Sequence, residues 1–155
     1  MQKRMQEHPL SPEQIRQLLH TAPVGVLTTM NSEGYPYSTP VHFLYHQNKI
    51  YIHGLARGEK INNLSARPQV GFTVYNMQGL LLGDSPCQTN TAYESVIMTG
   101  TARLIQQIEQ KGDILSHIVA KYTPHLKGQT LPASAIAATA IIEMIPRTCS
   151  GKYYR

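Results

Sequence analysis

The sequence contains no tryptophan, and only two phenylalanines and two cysteines occur among its 155 residues. Cys87 and Cys149 are too few for a disulfide framework, so we expect a reduced, cytoplasmic protein. No apolar run approaches the ~20 residues that cross a membrane. The charged first residues are followed by no apolar core of the kind that a secretory signal has. The sequence therefore predicts a protein without a membrane partner.

Charged residues are also scarce, at 15%, and most of them are basic. There are 14 lysines and arginines against 9 acidic residues, which gives a formal net charge of +5. Such a balance favours an anionic partner, either nucleic acid or a phosphorylated small molecule. Because the basic residues are spread along the chain rather than clustered, we do not expect nucleic acid binding.

Length and patterning predict one mainly β domain over residues 1–155, with residues 1–10 as an N-terminal arm. Ser11 and Gln14 form a predicted capping box that begins a helix. Tight turns join the first strands, which favours antiparallel pairing and a barrel with its helices outside. We predict strands at 24–29, 35–45, 49–53, 70–75, 92–105 (with a bulge at Gly100) and 139–145, helices at 11–22, up to about 66 and at 107–122, a long loop at 78–91 and a polar tail at 152–155.

The stretch HGLARGEK, residues 53–60, lies between a predicted strand and a predicted helix. The first amides of a helix lack intrahelical partners and carry partial positive charge, so they attract anions. Gly54 and Gly58 allow a ligand to approach the backbone closely. Arg57 offers a planar fork of donors and Lys60 a point charge, which suits a terminal phosphate. A surface turn with two solvated cations is the alternative interpretation, and the spacing excludes a Walker loop.

Several stretches together resemble one family, the flavin-binding split barrels related to pyridoxamine 5′-phosphate oxidase. They are GYPYSTPVHF at 34–43, IYIHG at 50–54, Gly58-x-Lys60, YESVIMTGTA at 93–102 and SGK at 150–152. Within that superfamily the sequence is most similar to the 5-nitroimidazole-resistance (Nim-type) flavoproteins. The resemblance implies a split antiparallel β-barrel with outer helices. In the oxidase itself arginine and lysine stand where Tyr37 and His42 stand here, so we do not expect the oxidase's own activity.

The resemblance further implies FMN bound at a homodimer interface, although the same cradle could hold the inner phosphate of FAD. A strand edge and a strand end would border the flavin ring, Lys60 would hold the phosphate beside Arg57, and Ser95 would reach across from the other subunit. The implied cofactor-binding residues are Tyr37, Ser38, Thr39, Pro40, Val41, His42, Ile52, His53, Gly54, Arg57, Lys60 and Ser95.

The implied activity is that of an FMN-dependent oxidoreductase that reduces a small planar, nitroaromatic-like substrate. His53 is the candidate catalytic residue, because an imidazole beside the flavin can supply a hydrogen bond or a proton near neutral pH. We expect no metal site, since His42 and His46 on one strand would be ~13 Å apart. A non-catalytic flavin-binding or flavin-storage protein is the alternative function.

Overall fold

The structure, a computed structural model, describes residues 6–155, so residues 1–5 of the predicted arm lie outside it. Within the described residues, seven strands form one antiparallel sheet in the order β2-β1-β5-β6-β7-β4-β3. The strands are β1 (Gly25–Met30), β2 (Pro36–Val41), β3 (Leu44–His46), β4 (Lys49–Leu55), β5 (Gln69–Leu81), β6 (Asn90–Leu104) and β7 (Thr139–Tyr154). The helices are α1 (Pro12–Thr21), α2 (Glu59–Ala66), α3 (Ile108–Tyr122) and α4 (Ala133–Ala138), with a short 3-10 turn at Pro124–Leu126.

The sheet curls into a split barrel, as predicted. Leu27 of β1 and Phe72 of the neighbouring β5 belong to the same buried cluster as Ile52 of β4, which lies three strands beyond β5 in the sheet. A flat sheet could not bring these side chains together, so the sheet must wrap around them. β2 and β3 are the two edges of the sheet, and only residues 42–43 separate them along the chain.

A second apolar cluster lies on the outer face of the sheet, beneath α3. Leu44, Tyr51 and Ile141 face outward from β3, β4 and β7 and pack against Ile114 and Ile118. Because side chains alternate along a strand, His53 lies on the same outer face as Tyr51. The helix therefore covers the part of the sheet that leads to the predicted site.

The capping box at the start of α1 is confirmed. The Gln14 amide donates to Ser11 Oγ at 3.2 Å, and the Ser11 amide donates to Gln14 Oε1 at 2.8 Å. The helix directs Leu18 and Leu19 into the core, where both are buried. Among residues 6–155, no helix is both long and apolar enough to cross a membrane.

The predicted loop at 78–91 is longer than the observed one, and the predicted tail at 152–155 is wrong. β5 continues to Leu81 and β6 begins at Asn90, so the ends of that loop belong to a hairpin and only residues 82–89 remain outside the strands. β7 runs to Tyr154 and pairs with β6 from Ile142 to Tyr154. These segments lack the alternation that predicts strands because much of the hairpin is exposed on both faces. The short helix α4 was also not predicted.

The predicted bulge at Gly100 is confirmed by a register shift between β6 and β7 at Thr99 and Gly100. A Cβ added at Gly100 would stand 2.2 Å from the Ile145 carbonyl oxygen. Glycine is thus required where the two backbones approach at the bulge.

Glu143 of β7 is completely buried and is the acceptor for three side chains. Lys49 Nζ and Tyr51 Oη donate to Oε2 at 2.9 and 3.1 Å, and Arg103 Nε donates to Oε1 at 2.8 Å. Burial alone would raise the pKa of Glu143, but these hydrogen bonds outweigh burial and lower it below 4.5. Burial and the neighbouring carboxylate raise the pKa of Tyr51 to about 12.

We expect Glu143→Gln to lower the free energy of unfolding by about 1–3 kcal/mol, because Tyr51 loses a charged acceptor while the cations can turn toward water. The folded-state pKa lies below the unfolded value of 4.5, so this contribution is present above pH 4.5 and is lost as pH falls. Urea unfolding at neutral and acidic pH measures the difference. Glu13→Gln, which removes the exposed carboxylate that pairs with Arg16, is the control. An equal loss of stability in both variants would show that the buried hydrogen bonds of Glu143 contribute no more than an exposed ion pair.

Candidate functional site

The predicted anion cradle lies at the junction of β4 and α2. Gly58 is the N-cap residue of α2 with φ of +119°, a left-handed value that other residues rarely adopt. Among the residues that the structure describes, no side chain caps α2. Its first amides are therefore available to an external acceptor, as in other helix termini that bind anions.

Lys60 lies over the end of β4. A Cβ added at Gly54 would be only 3.5 Å from Lys60 Nζ, so the ammonium group lies directly beside this backbone. Arg57 is exposed on the bend between them. Within residues 6–155 neither cation forms an ion pair. The site therefore holds two cations outside any ion pair of the described residues, next to an uncapped helix whose first turn also carries Glu59, and this set still favours a phosphate.

His53 is half-buried on the outer face of β4, one position before Gly54. Its Nδ1 is fully enclosed and has no hydrogen-bond partner within the described part of the chain. Burial lowers the pKa of His53 below 6.5, and the nearby His42 and Lys60 lower it further. At neutral pH the imidazole is mainly neutral, which favours hydrogen bonding over proton donation.

His42 is brought to the same place by a contact that the sequence did not indicate. The imidazole stacks on the Tyr122 ring with 4.7 Å between centroids. Tyr122 Oη accepts from the Phe43 amide at 2.9 Å, and its proton is shared between the Phe43 and Pro23 carbonyl oxygens, each at 2.8 Å. Tyr122 thus holds the link between β2 and β3 in position.

Lys121 is a second residue that sequence reasoning missed. Its Nζ donates to the Phe43 carbonyl at 3.0 Å and lies 4.1 Å from the centroid of the buried Phe43 ring. Burial lowers the pKa of Lys121 to about 8. The partners of Lys121 and Tyr122 are 78 and 79 positions away in sequence, so no local pattern could have revealed either contact.

The remaining strand residues of the predicted site lie on β2, at one edge of the sheet. Tyr37 is 38% exposed, and Ser38 Oγ is 2.8 Å from Thr28 Oγ1 on β1. Pro40 lacks an amide proton, and an edge strand tolerates it. Within residues 6–155 no strand pairs with the outer edge of β2, so the backbone groups of residues 37–41 that point away from β1 have no strand partner. Val41 and Ile52 are buried in the core cluster, so their side chains serve packing.

Ser95 is far from the other predicted residues. It pairs with Lys152 of β7, whereas His53 pairs with Ile141 of the same strand. These partners are eleven positions apart, which is about 36 Å along the strand. Ser95 Oγ is buried and lacks a hydrogen-bond partner within the described residues. One protomer therefore does not bring Ser95 to His53.

The residues at the cradle fit a phosphorylated planar cofactor. The free amides of α2 with Arg57 and Lys60 suit the phosphate, and the enclosed Nδ1 of His53 needs a polar partner. The open edge of β2 offers backbone donors and acceptors to a planar ring. No cluster of three metal-ligating side chains occurs among residues 6–155, and His46 contacts His117 instead of His42.

The comparisons with known proteins agree with this geometry. Residues 11–153 match a family model described as pyridoxamine 5′-phosphate oxidase. No curated protein matches the chain.

Three solved structures have the same fold. A candidate 5-nitroimidazole antibiotic resistance protein from Bacteroides thetaiotaomicron is 24% identical with a TM-score of 0.80, over 94% of this chain and 86% of that one. A flavocytochrome from Azotobacter vinelandii is 24% identical with a TM-score of 0.86, over 99% and 72%. An FAD and heme binding protein from Mycobacterium smegmatis is 21% identical with a TM-score of 0.84, over 94% and 72%.

We expect the His53 imidazole to titrate with a midpoint below 6.5 in the flavin-free protein, since burial and two neighbouring basic groups disfavour its charged form. The unfolded chain binds this proton more readily, so stability should fall as pH drops below 6.5. NMR titration of the His53 ring proton measures the midpoint, and Lys60→Met should raise it. A wild-type midpoint at or above 6.5 would show that the ring is not shielded as described.

Proposed function

The chain belongs to the pyridoxamine 5′-phosphate oxidase family, and from this premise we propose that it is an FMN-dependent oxidoreductase that works as a cytoplasmic homodimer. The proposal rests on Lys60, which lies against Gly54 at the uncapped start of α2 and adds to burial and His42 in lowering the pKa of the adjacent His53, whose Nδ1 has no partner within the described residues. The phosphate site at Gly54 and the polar side chain of His53 are therefore adjacent positions of β4.

Ser95 and its surroundings support the homodimer. Tyr75, Met77 and Ile97 are exposed apolar side chains of β5 and β6 on the same outer face as Ser95. An exposed apolar surface of this kind suits association with a second copy. In a two-fold dimer each Ser95 can approach the cradle of its partner, which one protomer does not allow. The flavin site is then complete only in the dimer.

Bound FMN would supply the redox chemistry, and the residues of the chain would bind and orient it. Lys60, Arg57 and the α2 amides hold the phosphate. His53, neutral at pH 7, donates or accepts a hydrogen bond at the ring. Tyr122 and Lys121 are positioning residues, because they fix His42 and Phe43 without reaching the cradle themselves.

The acceptor that we propose is a small planar molecule with a nitro group. Support comes from the shared fold with a candidate 5-nitroimidazole antibiotic resistance protein. The flavocytochrome and the FAD and heme binding protein share the fold too, so FAD and heme are the alternative cofactors. Identification of the chromophore released from the purified protein distinguishes them from FMN.

We expect Lys60→Ala to weaken FMN binding roughly tenfold to a hundredfold, the loss expected for one charge-assisted hydrogen bond to phosphate. Fluorescence titration of flavin-free protein gives the Kd, and thermal unfolding checks the fold. Arg16→Gln removes an exposed cation from α1 and is the control. Equal FMN affinity in wild type and Lys60→Ala would remove the phosphate assignment.

Electron transfer separates the oxidoreductase from a flavin-storage protein. The holoprotein is first reduced with dithionite in the absence of oxygen. We expect para-nitrobenzyl alcohol to reoxidise it faster than the alcohol reoxidises free reduced FMN, because the protein orients the acceptor. His53→Ala should keep most FMN but slow this reoxidation. A rate no faster than that of free FMN would favour storage over catalysis.

A further inference from the structure

Two adjoining cavities lie between α3, the segment after it and α4, apart from the cradle. The outer cavity has a volume of about 640 Å³ and the inner one about 170 Å³. Val119, Leu131 and Ile136 line both, so these three side chains are the boundary between them. We call the pair the helical chamber. Its volume is within the range of about 300–1,000 Å³ that small-molecule sites occupy.

The inner end of the helical chamber reaches His53. This residue lines the inner cavity together with apolar side chains of α3, while its other neighbours are His42 and Lys60 of the cradle side. His53 therefore stands between the chamber and the cradle. A ring held at the boundary between the two cavities is therefore separated from His53 only by the inner cavity, which His53 itself lines.

The walls of the chamber are tied together in the folded protein. Lys111 of α3 is buried, and its Nζ donates to the Ala137 carbonyl of α4 at 2.8 Å. Gly112 brings α4 close, because a Cβ added there would be 3.4 Å from Ile136 Cδ1. The cavity is thus preformed, which lowers the entropic cost of filling it.

The charge of the lining identifies the ligand class. Lys127 and His117 line the outer cavity, with the hydroxyls of Ser116 and Thr130, and none of the residues that line the two cavities is acidic. Lys127 forms no ion pair in the part of the chain that the structure describes. His117 Nδ1 lies 2.9 Å from the Asp113 carbonyl oxygen and 3.7 Å from its carboxylate, so Lys127 is the lining cation that remains for a ligand. An apolar interior with one lysine at its mouth suits a ring that carries a carboxylate.

We propose that the helical chamber binds a small aromatic acid, with its ring against Val119, Leu131 and Ile136 and its carboxylate beside Lys127. The role of the chamber as the acceptor site rests on the proposed oxidoreductase function. The binding of an aromatic acid to the chamber does not rest on that function, because the walls of the chamber come from one protomer and require no flavin. The chamber thereby narrows the acceptor from planar nitro compounds in general to those with an acidic group.

Calorimetric titration with para-nitrobenzoate and the neutral para-nitrobenzyl alcohol tests the proposal, in flavin-free and FMN-loaded protein. Lys127→Gln should weaken para-nitrobenzoate roughly threefold to fivefold, as for one exposed ion pair, and leave the alcohol unchanged. Leu131→Trp fills the boundary between the cavities and should abolish binding of both, with FMN affinity retained. Arg16→Gln is again the control.

Two results would overturn the chamber: no binding of para-nitrobenzoate to wild type, or wild-type affinity in both Lys127→Gln and Leu131→Trp. The Leu131→Trp result counts only if the thermal unfolding of that variant matches that of wild type. If it does not, the affinity of Lys127→Gln alone decides, because Lys127 is exposed and its substitution leaves the fold intact. Binding that depends on Lys127 in a protein that takes up no FMN would support the chamber and contradict the proposed function. Reoxidation by nitro compounds that is unchanged in both variants would support the proposed function and contradict the chamber as its acceptor site.

Discussion

The Tyr122 hydroxyl joins three parts of the fold that are distant in sequence. From the end of α3 it contacts the backbone of Phe43, between the two edge strands, and the carbonyl of Pro23, just before β1. Through these hydrogen bonds, α3 is joined to the link between the edge strands β2 and β3 and to the start of β1. His42, stacked on the same ring, is thereby held near His53 and the cradle. A half-buried hydroxyl with partners on both sides is costly to remove, since each partner would lose its hydrogen bond.

The charges of the molecule divide into two kinds with different consequences. Lys49 and Arg103 are used by Glu143, whose buried carboxylate they neutralise beneath α3. Arg57 and Lys60 at the cradle, and Lys127 at the helical chamber, form no ion pair within residues 6–155. The first kind stabilises the fold, and the second remains available to an anion. Three of the basic residues thus lie beside free helix amides or at a cavity.

Much of the fold and the cradle follows from local patterns, and the rest depends on long-range contacts. The capping box at Ser11, the bulge at Gly100 and the glycine-rich bend before α2 are readable because each depends on a few neighbouring residues. The extension of β5 and β6 is not readable, because its exposed strands have no alternating pattern. Tyr122, Lys121 and the chamber beside α4 depend on contacts across many residues. The predicted role of Ser95 cannot be checked within one chain, because that role requires the flavin site of a second copy.

Sedimentation velocity of the purified protein, recorded at a flavin absorption wavelength, shows whether flavin is bound by two chains or by one. We expect flavin absorbance to sediment with a species of twice the 17.3 kDa chain mass, and the released chromophore to be FMN. Flavin that sediments with a single chain would contradict the shared site. A protein without flavin absorbance, before and after incubation with FMN, would contradict the cradle itself.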